Sequence, residues 1–177
     1  MTTAVDPRYP VGKFSPPQGP VPASERTQFL NQVAEAPAKL RAAVQGLTDA
    51  QLDTPYRDGG WTPRQVVHHV ADSHMNAFIR FKLGLTEDNP TIKPYLEHLW
   101  ADLADQKLPI AVSLPIVDNV HERWVAVIRS MKETDWARTF NHPELGMQRL
   151  DRALAMYAWH GRHHVAHVTE LRGQKGW

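Results

Sequence analysis

The chain has 177 residues, 42% of them hydrophobic and 22% charged, with a net charge of +1 and no cysteine. That is the size and make-up of one globular domain with a full core. It excludes disulfides, cysteine-ligated zinc and a cysteine nucleophile, and the near-zero charge argues against nucleic acid or an anionic membrane surface as a partner.

Residues 1–22 carry Pro7, Pro10, Pro16, Pro17, Pro20 and Pro22, a run that disfavours both helix and central strand. An extended arm is expected there. It is either loose or packed through Tyr9, Val11 and Phe14 on the body or on a second subunit. The first 25 residues hold no apolar run, so no signal peptide is expected. No stretch approaches the ~20 apolar residues of a membrane span, and a cytoplasmic location is the default.

From residue 23 onward the signals are helical. Ser24 is placed to cap a helix whose face runs Phe29, Val33, Ala36, Leu40, Val44 and Leu47. Pro37 falls inside that pattern and predicts a kink or break. Thr48–Leu52 reads as a short capped turn. Thr62, Pro63 and Gln65 form a capping box with proline at the first helical position, opening a helix to about Leu85. One face of that helix is apolar (Val67, Val70, Phe78, Phe81, Leu85); another carries His69, Asp72, Ser73, Asn76 and Arg80. A short helix is expected over about 95–106. A longer one starts near Ser113 and Pro115, with Leu114, Val117, His121, Trp124, Ile128 and Met131 on one side. Residues 140–147 read as a loop or small hairpin, and the last helix covers about 151–172, before Gly173. The expected fold is all-α: an up-and-down four-helix bundle over 23–177 with short extra helices and the proline-rich arm.

Four of the ten histidines lie in "WHGRHHVAH", Trp159–His167. His160 and His164, four apart, share one helix face, the spacing with which one helix gives two imidazoles to one metal. His167 lies ~10 Å further along the axis than His160, too far to join them on one ion. A third ligand must come from elsewhere, and His69 stands on a polar stripe of another helix. The bland alternative, surface or core-edge histidines, stays open on spacing alone.

Tyr56–Tyr95, "YRDGGWTPRQVVHHVADSHMNAFIRFKLGLTEDNPTIKPY", together with "YAWHGRHHVAHVTELR" (Tyr157–Arg172) and "HERW" (His121–Trp124), resembles the YfiT-like branch of the DinB superfamily. The resemblance runs from about residue 25 through most of the chain. It implies a four-helix bundle, commonly a homodimer, holding a divalent metal on three histidines. The first follows the tryptophan of the helix start by eight residues, which from Trp61 gives His69 rather than His68; the others are His160 and His164. His68 is then expected to be a packing or surface residue. His163 is expected to be exposed or at a subunit contact.

Three imidazoles leave open positions on a metal, a catalytic rather than a structural pattern. Zinc is the first expectation and nickel the second. The favoured reaction is transfer of a small thiol, of the bacillithiol type, to an electrophile, with the thiol as cosubstrate in a cysteine-free chain. Hydrolysis by metal-bound water is the alternative, with Asp72, His121 and His167 as proton-handling catalytic groups. A non-catalytic metal-binding stress protein is the third reading. Arg80 is the candidate for binding an anionic group of a cosubstrate. Asp72 and Glu170 are candidates to orient the ligand imidazoles.

Overall fold

The computed structural model describes residues 6–177; the first five residues of the expected arm lie outside the described part. Four long helices form the body: α1 (Ala23–Val44), α3 (Pro63–Thr86), α5 (Leu114–Arg129) and α6 (Leu150–Lys175). Short helices α2 (Asp49–Leu52) and α4 (Glu97–Trp100) sit in the connections, and strands β1 (Thr139–His142) and β2 (Gly146–Arg149) form an antiparallel hairpin. The capping boxes at Thr48 and Thr62 are both present, with Gln51 and Gln65 closing them. The stretch expected as one helix over 95–106 is divided into α4 and a 3₁₀ turn, Ala104–Lys107. Helix α6 outlasts the expected stop at Gly173 and ends instead at Gly176, whose φ of 70° lies in the left-handed region.

Pro37 does not break α1, which is continuous from Ala23 to Val44. Proline removes one backbone N–H, the donor that would serve the Val33 carbonyl. The His121 ring takes its place, with Nδ1 2.7 Å from that oxygen. Ser24 does not cap α1 either; Pro22 holds the cap position, with no side-chain cap bond.

The bundle is wrapped so that α6 lies against α1 and α3, while α5 lies against α3 and α1. The sequence-adjacent pairs α1/α3 and α5/α6 therefore face each other across the diagonal, not side by side as in the simplest up-and-down wrap. Segments 45–62 and 130–149 are long enough to make those crossings, and each carries short elements of its own. Gly161 lets α6 approach α1 closely, since a Cβ there would lie 3.3 Å from Ala36 Cβ.

Two apolar clusters fill the interior. One surrounds Phe81, Trp124, Ile128, Leu150 and Leu154; the other surrounds Leu40, Val66, Val67, Val117 and Val168. Between them each long helix contributes to a polar layer: the Val33 carbonyl on α1, His69 and His74 on α3, His121 on α5, and His160 and His164 on α6.

The arm packs on its own chain. Trp159 Nε1 donates to the Gly12 carbonyl at 3.0 Å, and Phe14 lies against the Trp159 ring. At its end, the Val21 N–H donates to the buried Asp151 carboxylate at 3.1 Å. Among the described residues, no helix is long and apolar enough to cross a membrane.

Candidate metal centre

Helix α3, fixed in register by its capping box, carries His69 on the side that faces α6. Helix α6 carries His160 and His164 one turn apart on the side that faces α3. Their ring nitrogens converge: His160 Nε2 is 3.3 Å from His69 Nε2 and 3.2 Å from His164 Nε2. Two nitrogens held at ~2.0–2.1 Å from a tetrahedral ion stand roughly 3.3–3.4 Å apart, so the spacing fits a first-row divalent cation. Burial holds the His69 pKa down to about 4 and those of His160 and His164 well below the ordinary value, with the neighbouring imidazoles adding to the effect. All three are therefore neutral at pH 7, the form that ligates a metal.

The three rings open onto a cavity of about 550 Å³. Its wall mixes aromatic side chains (Phe14, Trp61, Tyr95, Phe140, Tyr157) with Ser73, Arg80, Glu97, His142, Glu144 and Arg152. Trp61 packs on His69, with ring centroids 4.6 Å apart. Arg80 donates to Tyr157 Oη at 2.9 Å, which steadies a guanidinium on the cavity wall. The arm contributes Phe14 and Pro16 to the same wall.

The three proton-handling residues expected from sequence line no part of this cavity. Asp72 turns toward the 3₁₀ turn, where Gln106 Nε2 donates to it at 3.3 Å; burial, with Asp105 nearby, raises its pKa to about 6. His121 is sealed in the core, 2% exposed, between Val33 and His74. His167 lies beneath the arm, stacked on Tyr56 at 4.0 Å between centroids. Glu170 is exposed. Neither Asp72 nor Glu170 orients a ligand ring: the Nδ1 of His160 is 3.0 Å from Nε2 of His74.

His68 packs inside, with Nδ1 2.7 Å from Ser113 Oγ and Nε2 3.0 Å from the Leu108 carbonyl. His163, expected to be exposed or at a subunit contact, is buried within its own chain; Tyr9 of the arm lies beside it, and its ring stacks on Trp159 at 4.4 Å. His163, His164 and His167 also bring ring nitrogens within 4.8 Å of one another. That grouping would have to share His164, and neither His163 nor His167 reaches the cavity. His74 escaped the sequence reading. Its signal was there: it sits between Val70 and Phe78 at steps of four, a polar ring on an apolar stripe that needs a buried partner.

The DinB superfamily model matches residues 32–168. A Bacillus mycoides protein, provisionally named a metal-dependent hydrolase, is 52% identical over 172 residues, covering 97% of this chain and 99% of its own. A Bacillus cereus protein of the same provisional name matches to the same extent. YfiT from Bacillus subtilis is provisionally described as a metal-dependent hydrolase with an unusual four-helix bundle topology. Its structure superposes with a TM-score of 0.93 at 46% identity, over 97% of this chain and 98% of that one. TT2238, described as a four-helix bundle protein, has a TM-score of 0.55 at 20% identity, which bears on the fold alone. The chain belongs to the DinB superfamily.

Proposed function

We propose that this protein is a divalent-metal-dependent hydrolase of a small molecule, with His69, His160 and His164 as the metal ligands. The observation that carries the reading is the convergence of three neutral ring nitrogens, within 4.8 Å of one another and with His160 Nε2 at 3.2–3.3 Å from the other two, on the wall of a cavity large enough for a small substrate. Bound there, a divalent cation supplies Lewis acidity and a nucleophile usable at neutral pH. The chain's own residues do the rest. Arg80 and Arg152 receive the anionic part of a substrate, the aromatic wall receives an apolar part, and the arm limits access of water. Glu97, His142 and Glu144 are the proton-accepting side chains on the wall. The provisional names of the relatives point the same way.

A second reading, small-thiol transfer, is favoured by one observation. With Asp72, His121 and His167 off the cavity, Glu97, His142 and Glu144 are the acceptors left on its wall, and none of them lies within hydrogen-bond distance of a ligand histidine; a thiolate nucleophile makes less demand on such a base than water does. Zinc, with nickel next, is the proposed ion, and a homodimer is the proposed assembly. Leu96, Leu99, Leu103, Leu108 and Val112 form an exposed apolar run from which a second copy could gain burial.

The test is metal stoichiometry of purified variants. His69→Ala, His160→Ala and His164→Ala each lose the metal, while His68→Ala and His163→Ala retain it. Stoichiometric metal in the first three variants removes the assignment. Titrating a small thiol into the cobalt-loaded wild type separates the two reactions: a sulfur-to-metal charge-transfer band supports thiol transfer, and its absence, with a pH-dependent spectrum near neutrality, supports hydrolysis.

A further inference from the structure

Behind His160, away from the cavity, three more groups stand in line. His160 Nδ1 is 3.0 Å from His74 Nε2, His74 Nδ1 is 2.6 Å from His121 Nε2, and His121 Nδ1 is 2.7 Å from the Val33 carbonyl oxygen. His74 and His121 are 1% and 2% exposed, so both inner rings are buried; His121 also backs a surface cleft beside Pro37.

Its far end fixes its direction. A carbonyl oxygen only accepts, so His121 Nδ1 carries the proton and donates. With each ring neutral, as burial without a counter-ion requires, His121 Nε2 is then an acceptor. His74 must donate to it from Nδ1, which leaves His74 Nε2 as an acceptor in turn. His160 must donate to that atom from Nδ1, which leaves His160 Nε2 bare, facing His69 and His164. The Val33 carbonyl is available for this role because Pro37, four residues on in α1, has no N–H to offer it.

We propose that the Val33 carbonyl freed by Pro37, together with His121 and His74, sets the tautomer and orientation of His160, so that its Nε2 is presented bare to a metal. His74 and His121 are positioning residues: they touch neither cavity nor substrate. The line is not a proton path, because the carbonyl that ends it cannot take up a proton and pass it on. A metal-ligating imidazole usually donates its other N–H to an acceptor such as a carboxylate, carbonyl or water. Here the acceptor is the His74 ring, and a backbone carbonyl at the far end of the line fixes its tautomer, from α1 through α5 and α3 to α6.

The inference rests on His160 being a metal ligand, yet its first test needs no metal. In the metal-free wild type, the ring nitrogens of His160 are read by long-range ¹H–¹⁵N NMR. A protonated Nδ1 with an unprotonated Nε2 is expected; a proton on Nε2 overturns the proposal, whatever the fold does in variants. Zinc affinity is then measured by chelator competition. His74→Leu leaves the His160 N–H without an acceptor, and a loss of ~10–100-fold is expected, with His160 moving to the Nε2-protonated tautomer. In His74→Gln, an amide that can accept from His160 and donate to His121 recovers most of that loss. Pro37→Ala returns a competing N–H to the Val33 carbonyl and is expected to weaken zinc several-fold. A folded His74→Leu variant that binds zinc as tightly as wild type, with the same His160 tautomer, overturns the proposal. Equal affinity in Pro37→Ala removes Pro37 from it. If the wild type binds no zinc while His160 shows the expected tautomer, the metal reading fails and the hydrogen-bond chain stands.

Discussion

Asp151 shows how one residue ties separate parts of this molecule together. Its carboxylate is fully buried at the start of α6. It accepts from the Val21 N–H, from Arg149 at 3.1 and 2.8 Å, and from the Arg152 N–H at 2.7 Å. Those bonds hold its pKa below the usual carboxylate value against the opposing effect of burial. Asp151→Asn keeps the shape and removes the charge, leaving Arg149 without its anion. A loss of about 2 kcal/mol is expected, read as a lower urea midpoint at unchanged slope. At this scale the sequence was partly legible. The His160/His164 spacing placed those two on one face, and the structure brings His69 to them. The partner of His160 was not legible, because His74 becomes its neighbour only once α3 and α6 are packed.

At the scale of elements, the arm is a working part of the wall rather than a loose tail. Phe14 and Trp159 join it to α6, and Phe14 and Pro16 border the cavity. Phe14→Ala is expected to loosen the arm without unfolding the bundle. Trypsin should then cut after Arg8 and Lys13 several times faster than in wild type while the body stays intact, as followed by intact mass. The proline content foretold an extended arm, but not which surface it meets, since that depends on where α6 presents Trp159 and His163. The helix starts at Thr62 and the turn at Thr48 were legible because capping is local. Continuity through Pro37 was not, because the donor that replaces the missing N–H comes from α5, more than eighty positions away.

For the whole molecule, the buried imidazoles set a pH dependence. His69, His121, His163 and His167 are held near pKa 4 by burial, and burial also holds His74, His160 and His164 well below the ordinary value. In the unfolded chain they would titrate near 6.5. Below that value the unfolded state binds more protons, so the stability they contribute is complete above pH ~6.5 and is lost as the pH falls toward 4. Metal at a hundredfold excess over its dissociation constant adds ~2.7 kcal/mol, roughly 5–10 °C in melting temperature for a chain of this size. Thermal melts at pH 7.5 and 5.5, with zinc and with a chelator, are expected to show a lower melting temperature at pH 5.5 in the chelator-treated protein and a zinc increment at both pH values, because burial keeps the ligand imidazoles neutral in the folded state. The four helices were legible from their periodicity. Their neighbour order was not, since segments as long as 45–62 and 130–149 permit more than one wrap.

The polar layer between the two apolar clusters gives the bundle a waist. Each cluster can hold its own end of the four helices together, but the middle is joined by hydrogen-bonded rings rather than by close-packed hydrocarbon. Such a layer is the natural plane for partial opening, at a cost below that of global unfolding. An ion clasped by α3 and α6 would act as a rivet through that waist, so loading the site would make one cooperative body out of two semi-independent ends.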